Sequence, residues 1–260
     1  MTINKDFTIK IKRDCEDYLI ICDHSSNAIP LSYKNLGISN KDLESHIAYD
    51  LGASDLASIL SESLNCTLIM ANFSRLLIDP NRGIDDPTLI PKLSEGKIID
   101  GNLKISASSK DIERNKRINN FYLPYHEKIN EFINDSIRGN KVPKIISIHS
   151  FTPVWKGKNR KIEVGILWDK DDRLSNIFLN SLKDVKIGNN LPYSGRLKND
   201  TLYKHASSNG IPHVLIEIRQ DLLIKNKDRL HWAQKIYNVL NENKKIIKSF
   251  KIKKYGSNSF

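Results

Sequence analysis

The chain has 260 residues, of which 39% are hydrophobic, 27% are charged and nine are prolines. A chain this long buries roughly 70–75% of its unfolded surface, in one large α/β domain or two small ones, and the composition excludes collagen-like, low-complexity and wholly disordered classes. The formal charge is +11, but the six lysines from Lys244 to Lys254 carry more than half of it; without them +5 remains. No nucleic-acid-binding motif accompanies the charge, so nucleic acid is not the expected partner, and a basic surface that steers small anionic substrates accounts for it as well. No apolar run reaches the ~18–20 residues of a membrane span, and the N-terminal segment lacks the apolar stretch of a secretory signal. Cys15, Cys22 and Cys66 show no metal-type spacing and read as reduced thiols of a cytoplasmic protein.

Short apolar runs alternate with longer amphipathic stretches, as in an α/β domain. Residues 18–22 read as a buried strand that empties into Asp23-His24-Ser25-Ser26-Asn27. Apolar residues at near-helical spacing predict a helix over 43–60, with Ser39 or Asn40 as its N-cap. A second strand is expected over 66–70, with 75–78 extended before Asp79-Pro80-Asn81-Arg82-Gly83. Residues 84–110 read as a surface excursion. A long helical region follows over 110–138, with an interruption expected near Pro124. Further strands are expected over 144–148, 163–168 and 212–219, with helices ending near Leu182 and spanning about 227–240. Neither an internal repeat nor a Pro/Ser/Gly-rich linker is visible, so 1–242 is expected to form a single domain and 243–260 a frayed basic tail.

Three strand candidates end in functional residue types: Asp23-His24, His149-Ser150 and Glu217-Ile218-Arg219. Open α/β sheets bind ligands beyond the carboxyl ends of their strands, so these tips are expected to share one crevice. His46 and Asp50, four apart on the expected helix, would share one face. Imidazole and carboxylate are both good zinc ligands, and three of them leave a position open for water, so His24, His149 and a carboxylate would suffice. His126, His205, His213 and His231 have no such spacing and read as surface or core residues. Arg75, Arg82 and Arg219 are either surface ion-pair partners or clamps for a substrate carboxylate. Glu217 is either half of a structural ion pair or a base beside a metal-bound water. No Gly-rich phosphate loop or GxSxG elbow occurs, which disfavours nucleotide binding and serine hydrolysis.

Six segments, DHSSNAIP, HIAYDLGA, SRLLIDPNR, IHSFTP, LPYSG and IEIRQD, occur in the order in which the chain resembles the N-formylglutamate amidohydrolase family, in its N-formylglutamate amidohydrolase-like branch. The resemblance runs from about Cys22 to Asp221. It implies an α/β fold related to zinc carboxypeptidases and aspartoacylases, three layers with a mixed sheet flanked by helices, and hydrolysis of a linear amide by zinc-activated water. By the same resemblance His24 and His149 are zinc ligands, Glu217 is the general base and Arg75 polarises the scissile carbonyl. Asn81 and Arg82, and Arg219 beside them, would hold the carboxylates of a small N-acyl acidic amino acid. The related enzymes carry His-x-x-Glu at the first zinc site where this chain has His24-Ser25-Ser26-Asn27. The third ligand of the one expected ion is therefore sought first in Asp50, then in His46, with Asn27 a poor donor. A non-catalytic module of the same fold that binds acidic small molecules is the alternative. Neither the acyl group nor the oligomeric state is fixed by these residues.

Overall fold

The computed structural model of the protein describes residues 7–10 and 18–259; Cys15 and the neighbouring N-terminal residues lie outside them. Seven strands form the central sheet: β1 (Phe7–Lys10), β2 (Tyr18–Cys22), β3 (Thr67–Ala71), β4 (Lys144–Phe151), β5 (Val164–Leu167), β6 (Ile187–Asn189) and β7 (His213–Arg219). Their order across the sheet is β1-β3-β2-β4-β7-β5-β6. β3, β2, β4 and β7 run parallel, while β1 and β5 pair antiparallel to β3 and β7. The sheet is therefore mixed. The parallel core strands β2, β3 and β4 are buried along their whole length, which explains why they read as continuous apolar runs rather than alternating ones.

Strand periodicity assigns the two faces of the sheet. Ile20, Ile146, Ile148, Val214 and Ile216 enter one core with helices α1 (Ala53–Ser63), α3 (Arg173–Ser181) and α5 (Asn226–Glu242). Leu19, Ile21, Ile145 and Leu215 enter the other core with α2 (Leu123–Arg138), α4 (Thr201–His205) and the 73–105 region. This gives the three-layer α/β arrangement expected from the sequence. On the second face the parity that places Leu19, Ile21, Ile145 and Leu215 inward also places Asp23, Ser147, His149 and Glu217 inward. Apolar strand centres thus give way to polar strand ends on one side of the sheet.

Three local expectations change. The helix expected over 43–60 is broken: a short turn of helix spans Asn40–Leu43, capped by Ser39, and α1 begins only at Ala53. Gly52 separates them at φ +78°, and a Cβ there would lie 2.6 Å from that of Leu223, so the chain turns where no side chain fits. The region 84–110 is not merely a surface excursion, because Leu89, Ile90, Ile99 and Ile105 are buried and Asn102 donates to the carbonyls of Leu76 and Pro91 at 2.8 Å. The basic segment after residue 243 is not frayed. Residues Lys244–Ser249 form a helix with Ile247 buried, and Lys253 N bonds to Gly210 O at 2.9 Å. The helical region holds through Pro124: a wide π turn, Ile118–Tyr122, joins the preceding helical turns to α2, whose second residue is the proline, and the widened turn accommodates a residue that lacks an N–H.

Candidate active site

β2 connects to β3 on one side, and β3 connects onward to β4 on the other. From the carboxyl ends of the neighbouring parallel strands β2 and β4 the chain therefore leaves in opposite directions, toward β3 from β2 and past β7 toward β5 from β4, which opens a crevice there. His24 and His149 stand at those two ends, with ring centroids 5.0 Å apart. Glu217 on β7 is in register with His149. A cavity of about 470 Å³ opens over these residues, lined also by Asp50, Arg75 and Arg82.

Each histidine is held by a buried carboxylate on its Nε2. His24 Nε2 lies 2.7 Å from Asp79 Oδ1, and His149 Nε2 lies 3.1 Å from Asp23 Oδ2. Both Nδ1 atoms are thereby turned toward Asp50 Oδ2, at 3.6 Å for His24 and 2.9 Å for His149. Asp50 leaves the loop before α1; its N–H donates to His24 O at 2.9 Å, and its carboxylate accepts from Arg75 and from Ser150 N. His24 Nδ1 is buried with no protein partner. One donor atom from each of His24, Asp50 and His149 falls within 4.8 Å of the others. Tetrahedral coordination with ~2.0 Å bonds separates ligand atoms by ~3.3 Å, between the two observed separations. The donor set fits a divalent cation, and the carboxylates behind both imidazoles are the partners that metal-bound histidines use.

Burial and charge tune the groups in different directions. Burial, aided by Arg75, pushes His24 down to about 4, against the pull of Asp79, so it is neutral and its free nitrogen can donate a lone pair. Burial also opposes charge on His149, but its bond to Asp23 and the charge of Glu217 outweigh that and raise it. Burial lifts Glu217, opposed by His149 and Arg75. Its Oε2 is buried without a hydrogen-bond partner.

The remaining candidates divide. Arg75, Asn81 and Arg82 line the cavity. Asn81 Oδ1 accepts from Thr201 N at 3.1 Å, and Arg82 is a third exposed and makes only long contacts, at 4.0 Å to Asp79 and 3.4 Å to Asn81 O. Arg219 lies elsewhere, contrary to its expected substrate-binding place: its guanidinium donates to Asp221 at 2.7 Å and to the carbonyls of Arg160 and Ile162. Those bonds hold it against the segment that leads into β5. His46, the second choice of ligand, lies 2.7 Å from Glu95 at the cavity rim. Asn27 donates to Leu43 O at 3.0 Å, and the carboxylate that lies nearest both histidine Nδ1 atoms is Asp50.

Sequence reasoning gave no role to Asp23, Asp79 or Asp200. Asp23 and Asp79 sit beside the histidine and within the DPNR segment, so their positions were visible while their partners were not. Asp200 caps α4 by accepting from Tyr203 N at 2.6 Å, and burial lifts it to about 7. His126 and His205 meet behind the cavity at 2.7 Å, and His126 Nε2 reaches Pro80 O at 3.1 Å, buttressing the segment that carries Asp79 and Arg82.

Fold and site together define an α/β protein with a buried His-Asp-His centre and an adjacent unpaired glutamate. The model of the N-formylglutamate amidohydrolase family matches residues 17–224. A gene product from Agrobacterium tumefaciens is 33% identical with a TM-score of 0.88, over 94% of this chain and 97% of that one. An N-formylglutamate amidohydrolase from Ralstonia eutropha shares the fold at 18% identity and a TM-score of 0.66, over 95% of this chain and all of the other. No curated protein matches. The chain belongs to the N-formylglutamate amidohydrolase family. Among the described residues no helix is long and apolar enough to cross a membrane.

Proposed function

We propose that the protein is a zinc-dependent amidohydrolase that cleaves the N-acyl, formyl-like amide of a small acidic amino acid in the cytoplasm. The observation that carries this reading is the pair of carboxylate-backed imidazoles turned toward Asp50, with His24 Nδ1 and Glu217 Oε2 both buried and unpartnered beside one cavity. Buried polar atoms without partners are costly, so two of them facing the same space support a bound cation and a reacting proton.

His24 Nδ1, Asp50 and His149 Nδ1 would hold the ion, which supplies Lewis acidity toward oxygen at neutral pH. Asp79 and Asp23 fix the two rings through Nε2. Glu217 Oε2 takes a proton from the attacking water and returns it to the departing amine nitrogen, a single group serving both steps. Arg75, with its Nε unpartnered, offers an N–H to the acyl oxygen as negative charge develops there. Asn81 and Arg82 hold a substrate carboxylate, for which an arginine fork is better suited than an ammonium. Cys22, a free and buried thiol, is in keeping with a reducing compartment. Asp50, within reach of both histidines, completes a three-residue donor set that supports the enzyme over a non-catalytic module of the same fold.

The test is metal analysis of the purified protein together with a panel of N-acyl amino acids. One equivalent of zinc and chelator-sensitive hydrolysis of acidic members are expected. Undiminished hydrolysis by protein stripped of metal would overturn the proposal.

A further inference from the structure

With Arg219 outside the cavity, the question of what meets a second substrate carboxylate is open again. Among the charged groups on the cavity wall, Glu95 is bonded to His46 and Asp50 to Arg75 and His149. Arg196 also lines the cavity. Its backbone N–H bonds to Ser194 Oγ at 3.3 Å, but among the described residues its guanidinium has no hydrogen-bond or ion-pair partner. An unpaired guanidinium at a cavity mouth is ordinarily a mobile, solvated charge.

This one stands on a fixed loop. Gly195 lies so close to the backbone of Trp168 that a Cβ would fall 2.4 Å from its nitrogen, so no other residue fits there without moving the chain. Asn190 Oδ1 accepts both Trp168 N at 3.0 Å and Gly195 N at 3.1 Å. Upstream, Arg160 bonds to Tyr193 OH at 3.0 Å and lies over its ring at 5.1 Å. Downstream, Asn199 bonds to Asp85 at 3.1 Å and Thr201 N to Asn81 Oδ1. The loop is thus tied on both sides of residue 196, and the last tie reaches the segment that carries Arg82. Holding a backbone in place lowers the entropy lost when its side chain grips a ligand.

We infer that Arg196 is a specificity-determining residue that receives the second carboxylate of a dianionic N-acyl amino acid, the first being held at Arg82. The inference rests on the amidohydrolase reading above and names the feature that separates acidic from neutral substrates. A cavity with an unpaired guanidinium at Arg196 and one only loosely paired, 4.0 Å from Asp79, at Arg82 favours a ligand with two carboxylates, because one left unmatched forgoes a charge-assisted bond.

The experiment compares the zinc-loaded parent with Arg196→Gln, Arg196→Glu and Lys198→Gln, the last an exposed neighbour that controls for loss of charge alone. N-acyl derivatives of glutamate, glutamine and lysine, with whichever acyl group the parent accepts, are followed by kcat/KM. Arg196→Gln should lower kcat/KM for the glutamate derivative about ten- to a hundredfold, chiefly through KM, and leave the glutamine derivative nearly unchanged. Arg196→Glu should shift preference toward the lysine derivative, and Lys198→Gln should behave as the parent. An unchanged glutamate-to-glutamine ratio in Arg196→Gln overturns the inference. Should the parent hydrolyse none of these, the amidohydrolase reading fails instead. Calorimetric binding of glutarate then decides Arg196 separately: binding lost in Arg196→Gln supports it, and absent or unaltered binding refutes it.

Discussion

Strand β7 has a buried polar cluster at each end, and the two clusters use the same residue types in opposite ways. At its start, His213 bonds through both nitrogens, to Ile211 O at 2.8 Å and Ser207 Oγ at 3.0 Å. Arg173 bonds to Asp171 at 2.8 Å and to the carbonyls of Gly210 and Lys251, beneath the rings of Phe250 and Tyr255. Asp169 accepts from the backbone and side chain of Asn258 at 2.9 and 2.7 Å. This cluster straps the C-terminal segment onto the domain. At the far end, His24 Nδ1, Arg75 Nε and Glu217 Oε2 are buried without partners. Each such atom costs roughly 1–3 kcal/mol. Histidine, arginine and carboxylate therefore do not distinguish a structural cluster from a reactive one; the completeness of their hydrogen bonding does.

Three experiments sharpen that contrast. The largest effect is expected at the incomplete end. Glu217→Gln should reduce turnover by about 10²–10⁴-fold while zinc content and Tm hold, because the buried carboxylate is already disfavoured in its charged form. Steady-state kinetics with metal analysis checks this, and parental turnover would remove Glu217 as the base.

At the complete end the outcome should reverse. Arg173→Ala removes the guanidinium from the buried Asp171 and leaves it the backbone N–H of residue 173 at 3.3 Å, at a cost of about 3 kcal/mol in denaturant unfolding, with kcat and zinc content of the folded protein unchanged. A variant with normal stability but altered kcat would break the comparison.

The smallest effect concerns pH. His205 is pushed down to about 3, by burial first and Lys204 second, and His126 also lies well below its usual value. At His205 the folded state binds fewer protons than the unfolded chain between about 3 and 6.5, so this residue's contribution to stability is complete above 6.5 and declines as pH falls toward 3. From His205 alone the loss by pH 5 is about 2 kcal/mol. Between pH 8 and 5 the unfolding free energy of His205→Gln should fall by about 2 kcal/mol less than that of the parent. An equal slope in both proteins would show that His205 titrates normally.

Much of the site could be read from the chain. His24, His149 and Glu217 each follow or end an apolar run, and the strand period alone assigns them to one face. Asp50 was expected one turn from His46 on a helix face, whereas it reaches both histidines from the loop before α1. The spacing of Leu43, Ile47 and Leu51 matches a helix, yet the chain turns through 44–52. Apolar residues buried in a turn satisfy the same period as those on a helix face, so periodicity could not reveal the break at Gly52. Arg219 and Arg196 show the converse. Arg219 shares the parity of Glu217 but finds carbonyls of the segment that leads into β5, while Arg196 lies in a loop with no period to read.

The amino-acid sequence by itself determined the α/β class, the buried strands and the residues at their tips, because these follow from local alternation of apolar and polar groups along the backbone. Tertiary structure decided which nitrogen of each histidine faces the cavity, which carboxylate joins them and which arginine remains unpaired. Those choices depend on partners far apart in the chain, Asp79 for His24 and Asp23 for His149, and a hydrogen bond between distant residues leaves no mark in the sequence near either one.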